Sequence, residues 1–145
     1  MMFKNITIGV DGSEHGWRAL EVACDLAQRY EAQLHIVHVP EIPPTAMAIG
    51  IGAIDVPIDM NQIMSGGQAI MADAATRARK FDIEPSSQIV RTGSASTEIL
   101  HVAESTGSDL IVSGRRGIGN VASLFLGSTS HKIAQEAQCA CLTVK

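Results

Sequence analysis

Two hydrophobic periods alternate along this chain, and that alternation is what most restricts its fold. Short runs rich in Ile, Val and Leu, typical of buried strands, are separated by longer segments whose apolar residues recur every three or four positions, as on one face of a helix. The pattern predicts the order βαβαβαβαβ. Strands are predicted at 4–10, 33–39, 88–91, 109–114 and 140–144, and helices at 14–30, 60–81, 97–105 and 128–138.

This order predicts an open, parallel sheet of five strands with helices on both faces, because right-handed crossover connections place the helices there. We therefore expect a single α/β domain spanning residues 1–145. Hydrophobic residues make up 46% of the chain and aromatic residues only 3%, so the core must consist of Ile, Val, Leu, Met and Ala. The proline-rich stretch 40–60 has no clear period and is predicted as an irregular excursion.

Charge and apolar length argue against two classes of partner. The net charge is −4, and the eleven Lys and Arg are spread along the chain, so we expect no nucleic-acid partner. No apolar run approaches the roughly eighteen residues of a membrane span, and the first residues turn polar too early for a signal peptide. We expect a cytoplasmic protein without membrane insertion.

The three cysteines are too few for a disulfide scaffold and agree with a reducing compartment. Cys139 and Cys141 are predicted to share one face of the last strand, a spacing that could chelate a metal. No second ligand pair accompanies them. The sequence therefore favours a role for both cysteines as small, buried hydrophobic residues, and no metal site is predicted.

Three predicted strand ends carry the candidate site, because ligands of open parallel sheets bind outside the carboxyl ends of the strands. They are the turn Asp11-Gly12-Ser13, the pair Val39-Pro40, and the glycine-rich segment that starts at Gly114.

The glycine-rich segment has the properties of a phosphate site. Glycines let the backbone approach a ligand closely, exposed amides bind anions, and the positive end of a helix dipole adds to the field. Arg115 and Arg116 add charge at the rim. The alternative remains that these glycines only allow a surface loop to turn and hold no phosphate.

Two better-known nucleotide loops are not supported. A Walker A loop requires a lysine, and none stands between Gly127 and Ser128. Gly117, Gly119 and Ala122 fit a relaxed dinucleotide fingerprint, but the motif follows the fourth strand and lacks the acidic residue expected further on.

The spacing of this segment resembles that of the universal stress proteins, specifically their ATP-binding branch. That branch is marked by Gly, two residues, Gly, nine residues, then Gly-Ser or Gly-Thr, and this chain has Gly114, Gly117, Gly127 and Ser128 at those positions. The segments 8–13 and 34–39 are similar to the first and second strands of the family, so the resemblance covers nearly the whole chain.

The resemblance implies a Rossmann-like fold of the adenine-nucleotide α-hydrolase type and ATP as ligand, alone or with Mg²⁺ or Mn²⁺. Asp11, in the turn with Gly12 and Ser13, would lie near the ribose and adenine, and the Val39 backbone would read the adenine edge. The phosphates would be held by Gly114, Arg115, Gly117, Gly127, Ser128 and Thr129. Asp11 as a plain turn residue and Ser128 as a plain helix cap remain open.

The resemblance also implies a homodimer formed through the last strand, 140–144, with a higher oligomer and an unknown protein partner left open. Cys139-Ala140 departs from the Cys-Pro found before this strand in many family members, which loosens the turn without touching the nucleotide residues.

No catalytic residue is predicted. An ATPase must position the attacking water, and the five histidines are scattered singly: His15, His35, His38, His101 and His131. We therefore expect an ATP-binding regulatory or stress-response module with little or slow hydrolysis, in which the excursion 40–60 is the candidate element to move. A nucleotide-free dimeric interaction protein and a true ATPase or phosphotransferase remain alternatives, and the sequence does not separate ATP from ADP or AMP.

Overall fold

The computed structural model describes residues 2–42, 59–115 and 128–145. Within these ranges the helices and strands follow the predicted order. They are β1 Asn5–Val10, α1 Glu14–Tyr30, β2 Gln33–His38, α2 Met60–Arg79, β3 Ser87–Val90, α3 Ala95–Ser105, β4 Leu110–Gly114, α4 Ser128–Glu136 and β5 Ala140–Val144.

The five strands form one parallel sheet in the order β3-β2-β1-β4-β5, which confirms the predicted fold class. The central strand β1 pairs with β2 on one side and with β4 on the other, so that Ile8 lies opposite both Ile36 and Val112. β2 and β3 are therefore added on one side of β1, and β4 and β5 on the other, so the strand order reverses at a switch point between β1 and β4. In open sheets this switch point leaves a crevice at the carboxyl ends of the two strands.

The strands bury alternate residues on opposite faces of the sheet, and helices cover both. Ile8, Ile36 and Val112 belong to a core shared with α1 and α2, whereas Val37 and Ile111 belong to a second core shared with α3 and α4. The cores contain aliphatic side chains almost throughout, as the composition predicts.

Several predicted details are wrong. The second strand ends at His38, one residue before Val39, and α3 begins at Ala95 rather than at residue 97. The apolar spacing of the last helix predicts that Ile133, Ala134 and Ala137 face inward, but Ala134 is exposed. Cys139 precedes β5, so it does not share a strand face with Cys141; the Cys141 thiol donates instead to the Cys139 carbonyl at 3.7 Å.

Most of the predicted excursion 40–60 falls on residues 43–58, outside the described residues. Within residues 2–42, 59–115 and 128–145, no helix combines the length and apolar character that crossing a membrane requires.

Candidate functional site at the carboxyl edge of the sheet

The ends of β1 and β4 lie side by side, with Gly9 opposite Ser113 in the sheet. The first turn of α1 packs directly onto the end of β4. A Cβ atom added to Gly114 would lie 2.9 Å from the carbonyl carbon of His15 and 3.0 Å from the Gly16 nitrogen. Only glycine lets the end of β4 pass this close to the helix start.

The turn after β1 is an Asx-turn that runs into α1. The Asp11 Oδ1 atom accepts a hydrogen bond from the Ser13 backbone N–H at 2.9 Å, and the Ser13 hydroxyl caps the helix by accepting from the Gly16 N–H at 3.1 Å. Gly12 has a φ of +82°, which favours glycine. Asp11 therefore acts as a turn residue in the structure. Its side chain is only half-buried, and it lies at the edge of the sheet where contact with a ligand would also require it.

The end of β2 is held to β1 by a buried histidine. The Nδ1 atom of His38 lies 2.7 Å from the Val10 carbonyl oxygen, so this nitrogen carries the proton and donates. Val39, the next residue, is buried as well. This bond fixes the position of the Val39 backbone relative to the turn after β1.

The start of α4 is tied to the end of β4 by Ser130. Its buried hydroxyl donates to the Gly114 carbonyl oxygen at 2.7 Å and accepts from the Ser113 hydroxyl at 3.4 Å. The first backbone N–H groups of a helix have no partner within the helix. Ser128 and Thr129 therefore present such groups at the same edge as the turn after β1.

His15, in the first turn of α1, has a buried ring nitrogen at this edge. In the parts of the chain that the structure describes, the Nδ1 atom of His15 has no partner. Buried polar atoms are nearly always paired, so an exception calls for an explanation such as a polar group that completes the site.

Eight of the ten residues predicted from the sequence are described and lie at this one edge of the sheet: Asp11, Gly12, Ser13, Val39, Gly114, Arg115, Ser128 and Thr129. Gly117 and Gly127 lie outside the described residues. Sequence reasoning missed Ser130 and His38, which position the site. A serine in the first turn of the last helix and a histidine at the end of the second strand were the available signals.

The described residues contain no group of three or more His, Cys, Asp or Glu side chains able to hold a metal ion. Two of the histidines are engaged structurally. His38 bonds to Val10, and His35 lies 2.8 Å from the Ser87 hydroxyl, with burial lowering its pKa.

Comparisons with protein families and with individual proteins point to the same family. A model described as the universal stress protein family matches residues 2–145. The universal stress protein YxiE of Bacillus subtilis is 33% identical over 149 residues, which cover 99% of this chain and 100% of that protein.

Solved structures agree on the fold. A universal stress protein from Archaeoglobus fulgidus in complex with dAMP superposes with a TM-score of 0.71 at 20% identity, covering 100% of both chains. A universal stress protein in complex with cAMP superposes with a TM-score of 0.73 at 21% identity, covering 100% of this chain and 98% of the other.

Proposed function

Since this chain belongs to the universal stress protein family, we propose that it binds an adenine nucleotide, with ATP as the expected ligand, and acts as a nucleotide-dependent regulatory module. The observation that carries this proposal is the convergence at the switch point of the sheet. There the turn after β1, the end of β4 and the start of α4 meet within a few ångströms.

The physical argument for a phosphate group is the direction of the local dipoles. The amino ends of α1 and α4 both face this edge, and each carries about half a positive charge. Ser130 fixes α4 to Gly114, so the amides are held in place before a ligand arrives. The dAMP and cAMP complexes support an adenine nucleotide as the ligand class, because both proteins share this fold.

We assign the contacts as the resemblance to the family implies, and follow them here in the order of the strands. Val39 and Asp11 stand at β2 and β1, where the base and ribose would lie. Gly114, Ser128 and Thr129 follow at β4 and α4, where the phosphates would lie, with Arg115 at the rim. Gly117 and Gly127, which lie outside the described residues, are proposed as further phosphate contacts on the family spacing alone. A Mg²⁺ or Mn²⁺ ion would accompany the triphosphate by binding its oxygens.

Two of the described histidines are not available for hydrolysis. His38 is committed to the Val10 carbonyl and His35 to Ser87, so neither is placed to activate water. A ligand without rapid hydrolysis acts by favouring one conformation, in proportion to its difference in affinity for two states.

The test begins with freshly purified protein, denatured so that any released nucleotide can be identified by chromatography. The stripped protein is then titrated with ATP by calorimetry. The Gly114→Ala variant should bind at least about tenfold more weakly, because its Cβ forces the first turn of α1 away from β4. Gly66→Ala, where the added Cβ meets nothing within 4 Å, is the matched control and should bind normally.

No released nucleotide and no heat of binding from wild-type protein would contradict the proposal, and would favour a nucleotide-free interaction protein.

A further inference from the structure

A lysine links α4, which starts at the candidate site, to the neighbouring helix α3. The Nζ atom of Lys132, on α4, donates a hydrogen bond to the Thr97 hydroxyl, on α3, at 3.1 Å. Lys132 lies four residues after Ser128, the first residue of α4, and Thr97 is the third residue of α3. Both positions therefore lie near the amino ends of their helices.

The charge of Lys132 is not balanced by a carboxylate in the described part of the chain. Every ion pair found there uses an arginine, and the partner of Lys132 is a neutral hydroxyl. The side chain is half-buried. A cation is also disfavoured near the amino end of a helix, where the macrodipole is positive. The surroundings of this ammonium group thus favour an anion nearby.

The direction of the side chain brings the ammonium group toward the carboxyl edge of the sheet. Residues four apart lie on the same face of a helix, and side chains lean toward its amino end. The ammonium group of Lys132 is therefore displaced along α4 toward Ser128, which lies four residues or about 6 Å away along the axis. Thr97 holds it there.

We propose that Lys132 sets the preference of the site for the number of phosphates, by supplying positive charge to the outer phosphates of a nucleoside triphosphate. This inference rests on the proposed function. The base is assigned to β2 and β1 and the phosphates to β4 and α4, so a residue on α4 meets the phosphate end of the ligand. Its attraction grows with the charge of that end, and ATP gains more than AMP.

The experiment compares the affinities of ATP and AMP for wild-type protein and four variants at low ionic strength, by calorimetry. Lys132→Met keeps the length of the side chain and removes the charge. It should weaken ATP binding by about tenfold and change AMP binding by less than about threefold. Lys132→Arg should retain most of the ATP affinity. Lys80→Met removes the same charge from an exposed residue at the carboxyl end of α2, and should change the affinity for neither nucleotide.

Thr97→Val is the fourth variant, and it releases the ammonium group without removing its charge. It should lower ATP affinity by a few-fold and leave AMP affinity unchanged, and it keeps the test decisive if Lys132→Met fails to fold. The difference between ATP and AMP should also shrink as salt is added, because the interaction is electrostatic.

The outcomes separate the two claims. Wild-type protein that binds neither nucleotide overturns the proposed function and this inference with it. Wild-type protein that binds both, with Lys132→Met and Thr97→Val lowering the two affinities equally or not at all, overturns the role of Lys132 alone.

Discussion

Cys24 lies between α1 and the sheet with no exposed surface, in the larger of the two cores. Burial, together with a smaller effect of the nearby charge of Glu21, raises the pKa of its thiol to about 12. In the unfolded chain the thiol ionises near its ordinary pKa of 9.0. Above that value the unfolded state loses a proton that the folded state keeps, so the free energy of unfolding must fall as the pH rises.

We predict that this single group lowers the free energy of unfolding by about 1.4 kcal/mol for each pH unit between roughly pH 9 and pH 12. Urea titrations at several alkaline pH values measure the slope. Cys24→Ala should flatten it, whatever its effect on stability at neutral pH. Cys141→Ala, at an exposed position, should retain most of the slope. An unchanged slope in Cys24→Ala would show that the thiol ionises in the folded protein.

Adjacent glycines in α2 illustrate how the surroundings of an element decide what a residue does. Gly66 is exposed, and an added Cβ would meet nothing within 4 Å. Gly67 is buried, and its Cβ would lie 2.9 Å from the Pro40 ring and 3.2 Å from a Val90 methyl group. α2 is continuous through both glycines. The first glycine therefore weakens the helix, whereas the second permits it to pack against the sheet.

Alanine substitutions at these two positions should have opposite signs. Gly66→Ala is predicted to stabilise the protein by about 1 kcal/mol, the difference in helix propensity between the residues. At Gly67→Ala the same gain is outweighed by an overpacking cost of about 1–3 kcal/mol, so this variant should be less stable than wild type. The midpoints of urea unfolding, measured in parallel for the two variants and the wild type, test whether the two changes in stability have opposite signs. Equal stabilisation by both would mean that Gly67 does not pack as described.

The elements themselves could be read from the sequence, because their hydrophobic periods are strong and their turns are marked by residues such as Asp11-Gly12-Ser13. Contacts between elements could not. The closeness of Gly114 to His15, and the bond from Ser130 to the Gly114 carbonyl, exist only because β4 lies beside β1. A linear pattern does not contain strand order. For the same reason the periodicity of α4 placed Ala134 inward, although the structure leaves it exposed.

At the scale of the whole molecule, the strand order fixes the positions of two regions, the switch point between β1 and β4 and the outer edge of β5. The switch point between β1 and β4 lies near the middle of the sheet, so a ligand there would contact elements from both halves of the chain. β5 stands at one end of the sheet and pairs with β4 on its inner side. In the described structure its outer side is an edge, and a change in the position of β4 or α4 would be passed directly to it.

That edge is where we predict a second copy of this chain to bind. An edge strand offers unpaired backbone groups to another chain, and Leu142, in the middle of β5, is 36% exposed. Lysine on an edge strand opposes such pairing, so Leu142→Lys should convert a dimer into a monomer of 15.3 kDa while the fold is retained. Sedimentation velocity measures the mass. Met2→Lys, at a residue 74% exposed and outside β5, adds the same charge and should stay dimeric. A dimer that survives Leu142→Lys would require an interface elsewhere, with the opposite edge strand β3 as the next surface to test.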